Sequence, residues 1–382
     1  MGVFFKPREE RRALTKVPWN VGASLNAPMS QSKALSLAPV FAANRHITDF
    51  GSTLPLKSYR KLADQRIPMD TLPPLFRSLE ERAQLVSWLA QAFSSLVLRG
   101  NAVGLVTAVD GFGFPTDIVW LHMDRISVDM STGVDRWFVD GRRADLFHRG
   151  GNLVHIPWIV LPGQVLGLSP IGYFANTIGA SLAAQQYGGD WFAGGGFPPS
   201  VFKHTETTVP SKVADDIRDR LKRALRRREP LVHGNDWEFT PVSVPPGEAQ
   251  FIESQKLSAT QVATIYGIDP TEVGGEPPGS LTYSNEEQRD IHRARDMRPY
   301  LTRFERAFSS WAPSPQNIKF NVDAIVRADL KTRFEVYKIQ DDMGFESIDA
   351  MRAREDLPPL PNGAGANAVP ARDTQPTPET DR

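Results

Sequence analysis

"QQYGGDWFAGGGFPPSVF" (residues 185–202) sets five glycines and two prolines among bulky aromatics. A glycine cluster of this kind is either a phosphate cradle or the place where a helix stops. A phosphate loop of the Walker type needs a strand, then the glycines, then Lys-Ser/Thr opening a helix, so that amide groups and the helix N-terminus face the anion. Here the order is reversed. A helix-period run precedes the glycines, and a diproline with no lysine follows. The cluster reads as a hinge that ends a helix.

Working outward, the upstream helix opens at Ser169-Pro170, an N-cap followed by proline at the first helical position. Phe174, Ile178 and Leu182 recur at helical spacing, while Ala175, Gly179 and Ala183 keep a neighbouring face small enough for close helix packing. A second helix is predicted from about Ala249 to Tyr266, with Ile252, Leu257, Val262 and Ile265 on its apolar side. Gly267 closes it and Pro270 prevents continuation. Between the two helices lies a compact insertion with a charged helix and β-like ends, "SVFKH" and "WEFTPVSV".

Toward the N-terminus, "LAPVFAANRHITDF" (37–50) predicts a helix and "GSTLPLKSYRK" a strand. Ser78 and Glu81 form a capping-box pattern ahead of the stripe Leu85, Trp88, Leu89, Ala92, Phe93 and Leu96. Arg99-Gly100-Asn101 ends that helix. Five short β-like runs separated by glycines then predict one antiparallel sheet over 100–160. Downstream, 284–312 predicts a long helix containing Pro299, followed by a strand at "NIKFNV" and a helix at "DLKTRFEVYKIQDDMG". The tail from Pro361 has almost no bulky apolar residue and is predicted to be disordered.

Composition narrows the function. The 382 residues are 41% hydrophobic and 23% charged, enough for two or more ordinary folded domains. Lys plus Arg (44) equal Asp plus Glu (44), which argues against a sequence-reading nucleic-acid binder with its usual basic excess. With no cysteine, disulfides, thiolate metal sites and cysteine nucleophiles are excluded. No apolar run approaches the ~20 residues that span a bilayer, and "MGVFFKPREERR" has no signal-peptide h-region, so a soluble intracellular product is expected.

Catalytic chemistry finds little support. Asp215, Asp216 and Asp219 ("DDIRD") resemble the short aspartate pattern that holds magnesium diphosphate, and would make a Mg²⁺-dependent enzyme. The plainer reading is a helix capped by Ser211, acidic in its first turns and basic at "RRR" (226–228), the charge order a helix dipole prefers. The seven histidines make no HExxH, and His155 reads as a packed strand residue. No GxSxG elbow is present. Neither a catalytic set, nor a metal site, nor a cofactor is expected.

The order of features resembles the portal (head–tail connector) proteins of tailed bacteriophages, the HK97-like family. The segments that carry it are "LAPVFAANRHITDFGSTLPLKSY", "LRGNAVGLV", "GFPTDIVWLHMDRISV", "NLVHIPWIVLPGQVLGLSPI", "YGGDWFAGGGFPPSVF", "AQFIESQKLSATQVATIYGIDPTEVG", "TYSNEEQ", "RPYLTRFERAF" and "GFESIDAMRAREDLPPLP", in that order. The resemblance implies an α+β portal fold that assembles as a ring, usually of twelve copies, at one capsid vertex of the virion. After an N-terminal arm (1–17), its parts would be an α/β wing (18–168 with 284–325), stem helices (169–194 and 248–267), an α/β clip (195–247), a channel loop (268–283), a helical crown (326–360) and the tail (361–382). Implied partners are other copies of the chain, double-stranded DNA passing non-specifically, the terminase large subunit, a head–tail adaptor and the major capsid protein, with no membrane. A non-ring assembly or scaffold protein is the alternative.

Three groups of site residues follow from that reading. Ala175, Gly179 and Ala183 would pack the stem. Arg220, Arg223, Arg226, Arg227 and Arg228 in the clip would meet terminase or adaptor, or else form a solvated face. Gly274, Gly275, Glu276, Pro277, Pro278, Gly279, Ser280 and Tyr283 would form the channel loop, expected to be mobile. With no Lys or Arg from Gly267 through Gln288, that loop would approach DNA without holding it.

Overall fold

The computed structural model describes residues 29–62, 65–131, 133–193, 200–204, 212, 215–216, 219, 237–241, 248–276, 286–322, 330–355 and 357–367. By internal contacts the described parts divide into two units, 1–282 with 295–321 and 283–294 with 322–382. The boundary at 294/295 falls within one long helix.

The first unit is built around two helices. α1 (Gln31–Leu35) is a short turn capped by Ser30, whose hydroxyl accepts from the Lys33 amide at 3.1 Å. α2 (Ala38–Thr53) follows, with Pro39 in its first turn, and buries Val40, Ala43 and Ile47. α2 runs three residues past its expected end because Gly51 and Ser52 are themselves buried. Gly51 lies under the ring of Phe93, and any Cβ there would collide with it. β1 (Leu56–Leu62) then pairs antiparallel with β2 (Gln65–Met69) on one side and with the distant β11 (Gln316–Phe320) on the other.

α3 (Pro74–Glu81) overturns the predicted capping box. Prolines at 73 and 74 start this helix early, so Ser78 lies inside it, and its hydroxyl accepts from the Arg82 guanidinium at 2.5 Å. The chain turns through Ala83 (φ 55°), and α4 (Leu85–Arg99) starts after Gln84 with no side-chain cap. The apolar stripe of α4 is buried as predicted, with Trp88, Leu89, Ala92, Phe93 and Leu96 in the core.

Residues 101–157 form two three-stranded antiparallel sheets where one was expected. The first has the order β4 (Pro115–Leu121), β3 (Asn101–Val109), β8 (Leu153–Pro157); the second is β5 (Ile126–Asp129), β6 (Arg136–Val139), β7 (Arg142–Ala144). Alternation marks strands but does not choose their partners. A helical turn at Met123–Arg125 redirects the chain, and Arg125 fixes it by bonding Asp140 at 3.0 Å. That guanidinium holds the Asp140 carboxyl below the usual carboxylate range. Val103, Leu121, Met123, Ile126, Trp137 and Leu153 fill the space between the sheets.

The rest of the first unit is mostly helical. A short helix α5 (Pro170–Tyr173) leads into α6 (Ala175–Ala193). Strands β9 (Ser200–His204) and β10 (Trp237–Pro241) pair antiparallel, with Phe202 opposite Phe239. α7 (Glu248–Tyr266) follows, and α8 (Glu286–Trp311), whose residues from 295 onward belong to this unit, runs through Pro299 and ends ahead of β11.

The second unit holds α9 (Leu330–Asp342) and α10 (Ile348–Arg354), the latter capped by Ser347. Residues 361–367, expected to be disordered, fold back on the start of α10. The Leu360 amide donates to Asp349 Oδ1 at 2.7 Å, and the Asp349 amide donates to the Gly365 carbonyl at 3.0 Å. Gly365 is buried there because a side chain would collide with Asp349. Backbone hydrogen bonds at a helix start need no bulky apolar residue, which is why composition missed this turn. Residues 368–382 lie outside the described residues.

Candidate functional site

The helical hairpin α6–α7 is anchored to the sheets by one buried amide. Gly100 ends α4 in the left-handed conformation (φ 67°), and a Cβ there would overlap the Leu168 carbonyl. This close approach brings Asn101, which is fully buried, against the segment entering α5. Asn101 Nδ2 donates to the Gly167 and Arg99 carbonyls at 2.8 and 3.0 Å, and its Oδ1 accepts from the Gly167 amide at 2.7 Å. His155 Nε2 lies 2.8 Å from the same Oδ1, which assigns that nitrogen the proton. Desolvation against Trp137, whose ring centre is 4.8 Å away, lowers the His155 pKa to about 3. His155 is thus a packed strand residue, as expected. Sequence reading placed Asn101 only at a helix end; the signal for its larger role is that a buried Asn must satisfy every polar atom.

Ser169 caps the entry as predicted. Its hydroxyl accepts from the Gly172 amide at 3.3 Å and donates to the Leu98 carbonyl at 3.3 Å. The expected single helix over 169–194 is nevertheless broken at Phe174 (φ −101°, ψ 23°). Phe174 is 41% exposed, so the predicted stripe of Phe174, Ile178 and Leu182 holds only at the buried Ile178.

α6 meets α7 across a groove lined by Thr177, Ala180, Ser181 and Ala184 from one helix and Leu257, Ser258 and Gln261 from the other. At about 100° per residue, Ala175, Gly179 and Ala183 lie on the opposite face of α6. A Cβ on Gly179 would meet only Met29 Cε, at 3.9 Å. That face packs no second helix within the described residues. Among the described side chains of α7, Ser258, Ala259, Val262, Ala263 and Tyr266 are buried; Leu257, expected on the apolar side, is 60% exposed.

After α7 the chain is more ordered than its glycines and prolines suggested. Gly267 takes φ 66°, and the Tyr266 carbonyl accepts from the Tyr300 hydroxyl at 2.7 Å. Asp269 caps a helical turn at Pro270–Val273 by accepting from the Thr271 amide at 2.8 Å, and Val273 is buried. The Gly275 amide donates back to the Pro270 carbonyl at 2.8 Å. Glu272 pairs with His46 at 3.4 Å, and Glu276 pairs with Lys256. Gly274, Gly275 and Glu276 therefore follow a hydrogen-bonded helical turn, where irregular structure was expected over 271–283. A tight turn uses the same residue types as a floppy loop, so composition could not separate them. Pro277, Pro278, Gly279, Ser280 and Tyr283 lie outside the described residues.

The clip arginines, Arg220, Arg223, Arg226, Arg227 and Arg228, also lie outside the described residues. Asp215, Asp216 and Asp219 are exposed. Among the described residues, no group of three acidic or histidine side chains could hold a metal ion, and no helix is long and apolar enough to cross a membrane.

Two helices, α6 and α7, with a strand pair between them in sequence also occur in known proteins. A portal protein of an HK97-family phage from Corynebacterium diphtheriae superposes over 78% of this chain and 98% of its own, with a TM-score of 0.58 and 14% identity. A chain from the virion of a native gene transfer agent particle covers 89% of this chain and 97% of its own (TM-score 0.54, 18% identity). In sequence, the probable portal protein of Streptomyces phage phiC31 is 29% identical over 91% of this chain and 80% of its own. The portal protein of Enterobacteria phage HK97 is 23% identical over 93% and 86%. The family described as "Phage portal protein" matches residues 38–356, from the start of α2 to just past α10. Such a match leaves none of the elements described above outside it except α1 and the last turn, and the chain belongs to the phage portal protein family.

Proposed function

We propose that twelve copies of the chain form a ring at one capsid vertex, through which double-stranded DNA enters during packaging, is retained, and leaves. The observation that carries this reading is the family match across both hairpin helices, the segment between them and the loop after them. Supporting it, a related fold occurs in the neck of a native gene transfer agent particle with C12 symmetry. In this reading α6 and α7 are the stem, 195–247 the clip, 18–168 with 284–325 the wing, and 326–360 the crown.

The small face of Ala175, Gly179 and Ala183 then meets a neighbouring copy. The clip arginines at 220, 223 and 226–228 meet the terminase large subunit and later a head–tail adaptor, and the major capsid protein surrounds the wing. The loop 277–283 reaches the channel from its anchored base at 270–276. The chain acts as a conduit and not as an enzyme; a separate motor supplies the energy, since no phosphate-binding loop occurs here. Synthesis is in the host cytoplasm.

Electron micrographs of the purified full chain test the reading. Rings with a central hole are expected. A protein that images only as single copies or irregular clusters overturns it.

A further inference from the structure

Between residues 295 and 306, α8 separates its chemistry by face. Met297, Tyr300, Leu301 and Phe304 are buried in the core. Arg295, Arg298, Arg303 and Arg306 line a groove on the other side with Pro299 and Thr302. A second groove shares Thr302 and Arg306 and extends over the β1–β11 pair, reaching Tyr59, Asn317 and Lys319. Lys57 stands opposite Lys319 in the strand register and is exposed.

These six cations have almost no acid among them. Among the described residues lining either groove, Glu305 is the one carboxylate, and it is only 2% exposed. Its charge is already engaged by Lys319 at 2.8 Å, Arg298 at 3.7 Å and the Phe320 amide at 3.2 Å. Arg303 is held in place by donating to the Trp158 and Pro299 carbonyls, at 3.0 and 2.5 Å. Arg295 and Arg306 are exposed and have no ion-pair or hydrogen-bond partner among the described residues.

An ordinary solvated face mixes signs; this one segregates positive charge in a chain whose totals cancel, 44 against 44. Four of the six cations are arginines, whose forked donors suit phosphate oxygens. From Arg295 to Arg306 the arginine row covers eleven residue steps, about 16 Å of helix. That length covers roughly five base-pair steps at ~3.4 Å each, so a linear polyanion could meet every guanidinium in turn. A folded acidic protein surface would need a matching 16 Å row of carboxylates.

We propose that this groove holds the phosphodiester backbone of double-stranded DNA. The proposal rests on the conduit reading and adds a fixed grip, apart from the loop of 271–283, which carries no Lys or Arg.

The test is duplex binding by the full chain, read as fluorescence anisotropy of a labelled linear duplex of mixed sequence across a salt series. Arg295→Gln/Arg306→Gln is expected to lower the slope of log affinity against log salt by about two, and Lys57→Gln by about one. Arg136→Gln/Arg142→Gln, on the β5–β7 sheet, is expected to leave the slope unchanged. Wild-type protein that does not bind the duplex, groove variants that bind like wild type, or a control pair that loses as much slope each overturns the proposal. Loss of oligomeric state in the groove variants with duplex binding intact also overturns it, assigning the groove to another copy of the chain. Ring images of the same samples keep the two readings apart: rings with unaltered DNA binding reject the groove alone, and absence of rings in wild type rejects the conduit.

Discussion

α4 and α6 are two helices of similar length that live in different surroundings. α4 buries eight of its fifteen residues, from Trp88 to Arg99. Phe93 packs against Phe304 with ring centres 4.1 Å apart and planes tilted by 34°, and the Trp88 indole donates to the Ile118 carbonyl at 2.6 Å. α6 is rich in apolar and small residues, yet among its described positions only Ile178 and Gly188 are buried. Helical stability comes mostly from packing an apolar face. One helix obtains that packing from its own chain, and on the ring reading the other obtains it from its neighbours. The difference separates what a single copy must do to fold from what many copies must do to assemble.

The strongest way to break this comparison is to cut the joint between the two regions. Asn101→Leu removes four polar contacts at once and leaves the Gly167 amide and carbonyl, the Arg99 carbonyl and His155 without their partner. Each buried group left unsatisfied costs about 1–3 kcal/mol, with partial relief from relaxation, so a loss of roughly 3–5 kcal/mol is expected in urea unfolding. A loss under about 1 kcal/mol would mean that α5 and α6 are not held through this residue.

A smaller effect comes from pH at the same joint. The His155 pKa is lowered by burial to about 3, against an ordinary 6.5. An unfolded chain therefore takes up a proton near pH 6.5 that the folded chain refuses until about pH 3. Stability is fully present above pH 6.5 and falls as pH drops below it, by up to about 1.4 kcal/mol per unit. Comparing unfolding of wild type and His155→Gln between pH 7 and 4.5 should show the dependence reduced in the variant. Parallel curves would place the imidazole in water.

Much of this was legible beforehand, and the failures have a common cause. The stripe of α4, the two hairpin helices, the stop at Gly267 and the strand pair of the insertion follow from period and from Gly/Pro punctuation, which are local. Ser78 failed as a cap because its role depends on where the preceding helix starts. The two sheets were merged because alternation in residues 101–157 does not reveal which strand pairs with which. Gly274 and Gly275 read as irregular although they lie beside Glu272 and Glu276, which pair with His46 and Lys256, residues distant in sequence. The small face of α6 is a different case: a Cβ on Gly179 would meet only Met29 within the described chain, so whatever packs Ala175, Gly179 and Ala183 closely is sought in a neighbouring copy.

Gly179 gives the smallest expected effect on the single chain and the sharpest test of the comparison. Its added Cβ would meet nothing nearer than Met29 Cε at 3.9 Å, an ordinary contact with a flexible side chain. Replacing a helical glycine by leucine also favours the helix, by up to about 1 kcal/mol. Gly179→Leu should therefore leave the unfolding of isolated subunits unchanged or slightly improved. If a neighbouring copy packs on this face, the same side chain overfills it at every interface, at roughly 1–3 kcal/mol each, and the ring peak in gel filtration should shrink or vanish. Retained rings with normal subunit stability would mean that the small face of α6 meets no neighbour. Loss of stability in the isolated chain would mean that it is already packed within one copy.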